Sequence, residues 1–138
     1  MRIAVVSCVA FFALAATADA AIFLFRMPSK NIGCVYDNEP GSGGPSLRCD
    51  ILSGLKPAPK RPSGCHLDWR NGYQMRPTGK SQRVCAGDTA VDPRAKVVRY
   101  GHRWRVGGFT CLSRRIGLRC TNRSKHGFFL SRKHSFRF

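Results

Sequence analysis

Apolar and polar residues alternate at every second position through most of the chain, and the alternating runs are short. In Ile32-Gly33-Cys34-Val35-Tyr36, the residues Ile32, Cys34 and Tyr36 share one face. Leu47, Cys49 and Ile51 do the same in Leu47-Arg48-Cys49-Asp50-Ile51, and Phe109 with Cys111 and Leu118 with Cys120 repeat the pattern. A side-chain period of two marks half-buried strands. The pattern therefore predicts two hairpins, each with a core-facing cysteine in mid-strand on both arms. The first is linked by Asp37 to Pro45, which includes Gly41-Ser42-Gly43-Gly44 as a flexible tip, and the second by Ser113 to Gly117. A two-residue turn at Arg115-Ile116 sets Cys111 directly opposite Cys120, whereas a type I turn ending in a glycine bulge at Gly117 shifts the register by one. The sequence fits both.

Further strands are expected at Phe23 to Arg26, Cys65 to Trp69, Lys96 to Tyr100, Arg103 to Val106, Gly108 to Ser113, Leu118 to Asn122, Phe128 to Ser131 and Ser135 to Phe138. Asn71-Gly72 reads as a hairpin turn and Pro77 to Lys80 as another. Lys56 to Gly64 holds three prolines, so it crosses the surface as an extended connection. No window sustains a helical period, and only a single helical turn is expected, near Ala90. The fold class that follows is all-β: a small disulfide-bridged sandwich or barrel of short antiparallel strands.

The first twenty residues break this pattern. Arg2, an apolar run from Ile3 to Ala16 and the small-x-small triplet Ala18-Asp19-Ala20 have the layout of a signal peptide. Residues 1–20 are expected to be removed and residues 21–138 to form a single β domain, secreted or periplasmic, with no transmembrane segment in the mature chain. A retained anchor running from Ile3 to Phe25 is the alternative. Asp19 interrupts it, and Arg26 and Lys30 place positive charge on its wrong side.

Processing also decides the cysteine count, since Cys8 leaves with the leader and six remain: Cys34, Cys49, Cys65, Cys85, Cys111 and Cys120. An even number in a short exported chain points to disulfides. No pair has the close spacing of a zinc or redox motif. Of the fifteen pairings six cysteines allow, the strand pattern favours neighbours: 34 with 49 and 111 with 120, leaving 65 with 85.

The net charge is +17, unevenly spread. Residues 21–92 carry ten Lys/Arg against six Asp/Glu, and residues 93–138 carry thirteen and no acid. Such a field draws polyanions as a class, among them an acidic envelope polymer, anionic lipid or nucleic acid. The residues expected to carry the contact are Arg114, Arg115, Arg119, Arg123 and Lys125.

Several short pieces, taken in order, resemble a domain-of-unknown-function family of small exported, disulfide-containing bacterial proteins. They are Phe25-x-x-Pro28-Ser29-x-Asn31-Ile32-Gly33-Cys34, Arg48-Cys49-Asp50-Ile51, Cys85-x-Gly87-Asp88-Thr89, Tyr100-Gly101, Gly108-Phe109-x-Cys111, Gly117-Leu118-x-Cys120-x-Asn122 and His126-Gly127-Phe128-x-Leu130-Ser131-Arg132. Lys30 and Lys125 depart from it, standing where small residues are expected, as does the unusually basic tail. The resemblance implies export, bridges and a β fold, and it brings no catalytic residue and no cofactor.

Catalytic chemistry has a narrower footing. His126 or His102 could serve a small secreted hydrolase or nuclease, but each needs a converging partner. In Arg99-Tyr100-Gly101-His102-Arg103-Trp104-Arg105, alternation sends the aromatics to one face and the arginines to the other, which separates base stacking from phosphate contact. Asp88-Thr89 reads as a turn whose carboxylate bonds nearby backbone N–H groups. Asn122-Arg123-Ser124 matches a glycosylation sequon. The tail Arg132 to Phe138 reads as an edge strand burying Phe136 and Phe138, or as an arm gripping an anionic surface. The working expectation is a non-enzymatic binding module, with the small hydrolase or a purely structural envelope protein as alternatives.

Overall fold

A computed structural model describes residues 19–138. The leader expected over residues 1–20 lies almost wholly outside them. Eleven strands form two sheets: β1 (Ile22–Arg26), β2 (Ile32–Asp37), β3 (Ser46–Ile51), β4 (Gly72–Met75), β5 (Gln82–Arg83), β6 (Lys96–Val97), β7 (Arg103–Val106), β8 (Phe109–Arg114), β9 (Gly117–Thr121), β10 (Gly127–Leu130) and β11 (Ser135–Arg137). Strands β1 to β5 follow one another as an antiparallel meander, with β6 added in parallel beside β1. Strands β7 to β11 make a second meander with the same order.

The meanders stack face to face, strand over strand. Phe25 of β1 lies 4.5 Å from Trp104 of β7, ring centre to ring centre. Tyr36 of β2 meets Phe109 of β8 at 6.0 Å, and Tyr73 of β4 meets Phe128 of β10 at 5.6 Å. Between them, Sγ of Cys49 on β3 lies 4.0 Å from Sγ of Cys120 on β9. This is a sandwich with two open sheets, and its core consists of the alternating residues read from the sequence. Ile32, Cys34, Tyr36, Leu47, Cys49, Ile51, Phe109, Cys111, Leu118 and Cys120 are all buried.

The bridges are 34–49, 65–85 and 111–120. Cys34 stands directly opposite Cys49, and Cys111 directly opposite Cys120. Arg114 pairs with Gly117 across Arg115-Ile116, so the two-residue turn sets the register. Gly107-Gly108 closes the β7–β8 hairpin with both residues at positive φ, 59° and 90°. That conformation matches the twist of a tight hairpin and is costly for residues with a side chain.

Some expected elements differ. Asn71-Gly72 is not a hairpin turn: Gly72 begins β4, and a Cβ there would meet the Cys49 carbonyl oxygen of β3. Its glycine serves close strand approach. Cys65 to Trp69 contributes a single bridge, Asp68 with Ala86, because the disulfide to Cys85 and the prolines before it fix this loop. Lys96 to Tyr100 shrinks to two paired residues, since a turn at Tyr100-Gly101 resets the chain before β7. No helical turn forms near Ala90; its N–H instead donates to Asp50 Oδ2 at 2.8 Å. The tail is an edge strand, but its faces are reversed. Ser135 is buried and Phe136, paired with Phe129 on the outer side, is 43 % exposed. Among the described residues no helix is long and apolar enough to cross a membrane.

Candidate functional site

Acidic side chains are confined to the residues before 93, whereas basic ones occur in both sheets. The buried Asp50 carboxylate, 1 % exposed, receives Nε and Nη2 of Arg48 at 3.1 and 2.7 Å, while Arg48 Nη1 reaches Asp88 Oδ1 at 2.9 Å. Burial works to depress the Arg48 pKa, but hydrogen bonds and charge from Asp50 and Asp88 outweigh it and hold it above its ordinary value. The same guanidinium holds Asp88 below the usual carboxylate range. Asp88 is thus chiefly an ion-pair partner of Arg48, with a backbone hydrogen bond at its own residue as the lesser contribution. The network ties β3 to the loop that carries Ala90.

Beyond residue 92 there are no acids to pair with. Arg94, which meets Asp92 at 3.5 Å, is the one cation of residues 93–138 within 4.0 Å of a carboxylate among the described residues. Of the others, Arg137 donates to the Ser81 carbonyl oxygen and two lie on rings. Arg119, on the outer face of β9, lies over the Phe138 ring at 3.8 Å, and Arg115 lies over Tyr100 at 5.1 Å. A ring face attracts a guanidinium without neutralising it. The five residues expected to bind polyanions are strung along the β8–β9 hairpin rather than gathered in one patch. Arg114 and Arg115 sit at its closed end, Arg119 at its middle, and Arg123 and Lys125 beyond its open end, with Arg123 laid across Gly108. At about 3.3 Å per residue the stripe runs roughly 20 Å.

A cleft opens where the last strands of the two meanders, β5 and β11, meet at the sandwich edge. Tyr73, Lys80, Ser81, Arg83, His126 and Arg137 line it with Pro57, Ser135, Phe136 and Phe138. It is framed by bonds between the sheets. Arg137 Nη1 donates to the Ser81 carbonyl at 3.0 Å, Ser81 Oγ to the Gly127 carbonyl at 2.7 Å, and the Ser135 N–H to the Lys56 carbonyl at 2.6 Å. Burial raises the Tyr73 pKa, while the positive charges of Arg83 and Arg137 pull it the other way. On the outer face, Leu112, Ile116, Phe129 and Phe136 form a separate, apolar groove flanked by Arg114 and Arg119.

The sequence pattern of the family of unknown function DUF6636 matches residues 4–138. The chain belongs to DUF6636. No curated protein and no solved structure matches it. In this DUF6636 chain two of the three departures from the resemblance, Lys30 and Lys125, occupy left-handed backbone at φ 60° and 63°. There a small residue, glycine above all, escapes the clash of a Cβ with its own carbonyl.

The histidines do not converge. His126 lines the edge cleft, with Nδ1 3.3 Å from the Phe138 carbonyl oxygen. His102 precedes β7 at the opposite edge of its sheet, His66 is exposed in the Cys65 loop, and His134 stacks on Phe136. The sequon is occupied internally: Asn122 is buried and its Nδ2 donates to the carbonyls of Arg76 and Gly79 at 3.0 and 2.7 Å, leaving no amide for a sugar. The glycine-rich tip of the first cysteine hairpin is held by Arg76, whose Nη1 donates to the carbonyls of Gly43 and Gly44. The sulfurs of Cys49, Cys111 and Cys120 lie within 4.8 Å of one another because two bridges meet in the core. As disulfides they offer no thiolate to a metal. Of the cleft, the sequence points to His126 and to the tail with Phe136 and Phe138.

Proposed function

We propose that the chain is an exported, non-enzymatic module that binds extended polyanions along the β8–β9 hairpin. The observation that carries this reading is the stripe of Arg114, Arg115, Arg119, Arg123 and Lys125, which has no carboxylate within pairing distance. A run of about 20 Å suits a polymer better than a small ligand. Guanidiniums anchored on rings keep their charge and lose little further freedom on meeting a phosphate, sulfate or carboxylate. An acidic envelope polymer is the partner that fits export best. Three disulfides persist where the surroundings are oxidising, and the leader pattern of residues 1–20 supplies the route. A non-catalytic role is supported by the scatter of the histidines, none of which is paired with an aspartate or glutamate side chain among the described residues.

Binding of a fluorescent single-stranded oligonucleotide and of a sulfated polysaccharide, followed from 50 to 300 mM salt, tests the proposal. Affinity falls linearly on logarithmic axes with a slope of about 0.7 per single-strand contact. Changing all five residues to glutamine flattens that slope by up to about 3.5. An unchanged slope refutes the stripe. Incubation with RNA beside a His126→Ala control tests the hydrolase reading, and cleavage lost only in the variant would establish it.

A further inference from the structure

The edge cleft has a different chemistry from the stripe. It is concave, with a volume of about 480 Å³, in the range of small-molecule sites. Three cations from three segments converge on it: Lys80 from the loop before β5, Arg83 from β5 and Arg137 from β11. No aspartate or glutamate side chain lines it, and the main-chain oxygen of Phe138 accepts from the Gly127 N–H at 2.9 Å. Two of its donors are buried without a partner, Arg83 Nε and the hydroxyl of Ser135, a residue only 9 % exposed. A buried donor left unbonded costs about 1–3 kcal/mol. Two such donors beside three positive charges describe a site that is satisfied when an anion with several oxygens enters.

We propose that this cleft binds a small organic phosphate, with the phosphate held by Lys80, Arg83 and Arg137 and its organic part against Phe136 and Phe138. A carboxylate has two oxygens and is filled by one guanidinium; a phosphate monoester presents three to the three cations and the Ser135 hydroxyl. The Tyr73 phenol, walled in beside both arginines, adds a further donor. The aromatic walls explain why free phosphate alone would use only part of the space. The cations of this site are not those of the stripe, and the two meet only at the Phe138 ring, which Arg119 covers, so the two proposals are tested separately with Arg119 left in place.

Calorimetric titration of the whole mature chain at 150 mM salt with glucose 6-phosphate, inorganic phosphate, glucuronate and glucose tests it. Glucose 6-phosphate binds saturably at one site, about tenfold or more tighter than glucuronate. Inorganic phosphate binds more weakly than the sugar phosphate, and glucose gives no signal. Arg83→Gln weakens binding by about tenfold or more, as expected for one charge-assisted contact. Lys80→Gln does the same, and because exposed Lys80 makes no hydrogen bond that holds the fold, its loss reports binding and not folding. A variant with Arg114, Arg115, Arg123 and Lys125 changed to glutamine, and Arg119 kept on Phe138, keeps full affinity for glucose 6-phosphate while its oligonucleotide binding weakens. The assignment is overturned if neither phosphate probe binds saturably, if glucuronate binds equally well, or if Lys80→Gln leaves affinity unchanged.

Discussion

The two meanders share a strand order and place a cystine at directly opposed positions of the same hairpin, β2–β3 in one and β8–β9 in the other, yet they treat positive charge in opposite ways. In the first, Arg48 is drawn into the sheet by Asp50 and Asp88 and its charge is consumed. In the second, Arg119 and Arg115 rest on Phe138 and Tyr100, and their charge remains available. One sheet uses its ion pairs to hold its loops. The other is held by strand pairing, packing and its bridge, and among the described residues its strands carry no cation within 4.0 Å of a carboxylate.

The contrast predicts that removing a partner has very different consequences in the two sheets. Asp50→Asn leaves Arg48 with a neutral amide whose NH₂ group faces further donors in a buried site. Loss of one member of a buried pair costs about 3–5 kcal/mol. Urea denaturation with the disulfides intact should therefore show the Asp50→Asn midpoint falling sharply. A loss under about 1 kcal/mol would mean that the first meander does not depend on its ion pair, and the distinction between the sheets would disappear.

In the second meander the partner is a ring and the cation stands in solvent, so the effect is smaller. A double-mutant cycle on Arg119→Gln and Phe138→Leu should return a coupling of about 0.5–1 kcal/mol. Phe138→Leu leaves a guanidinium that water can accommodate. Zero coupling would reduce the stacked geometry to coincidence and remove the argument that rings pre-position the stripe.

Local signals made the second meander easier to read than the first. The alternation around Cys34, Cys49, Cys111 and Cys120 pointed to both hairpins and their bridges, and left Cys65 with Cys85 as the remaining pair, which is the pairing found. What stayed hidden was long-range. Arg48 finds Asp88 forty residues away, and Arg137 finds Ser81 fifty-six residues away. The cleft is assembled from the ends of two sheets, and no spacing within the chain announces it. Asn71-Gly72 was misread for a related reason: glycine there answers to the backbone of β3, a neighbour the local sequence does not display. The reversed tail follows from register, since a shift of one residue exchanges the two faces of a strand.

The smallest expected effect concerns Lys125, at the turn between β9 and β10 where the stripe ends. Its φ of 63° places an L-residue in the left-handed region, at a cost of about 1–2 kcal/mol that glycine escapes, offset in part by the greater freedom glycine has when unfolded. Lys125→Gly should therefore stabilise the fold by about 0.5 kcal/mol while removing one contact from the polyanion stripe. Denaturation midpoint and salt slope then move in opposite senses, stability up and slope down by about 0.7. If stability rises and the slope stays put, Lys125 does not belong to the stripe, and its charge in the second meander has no binding role. If the slope falls with no gain in stability, the lysine is tolerated in its turn without strain, and the charge alone accounts for its presence there.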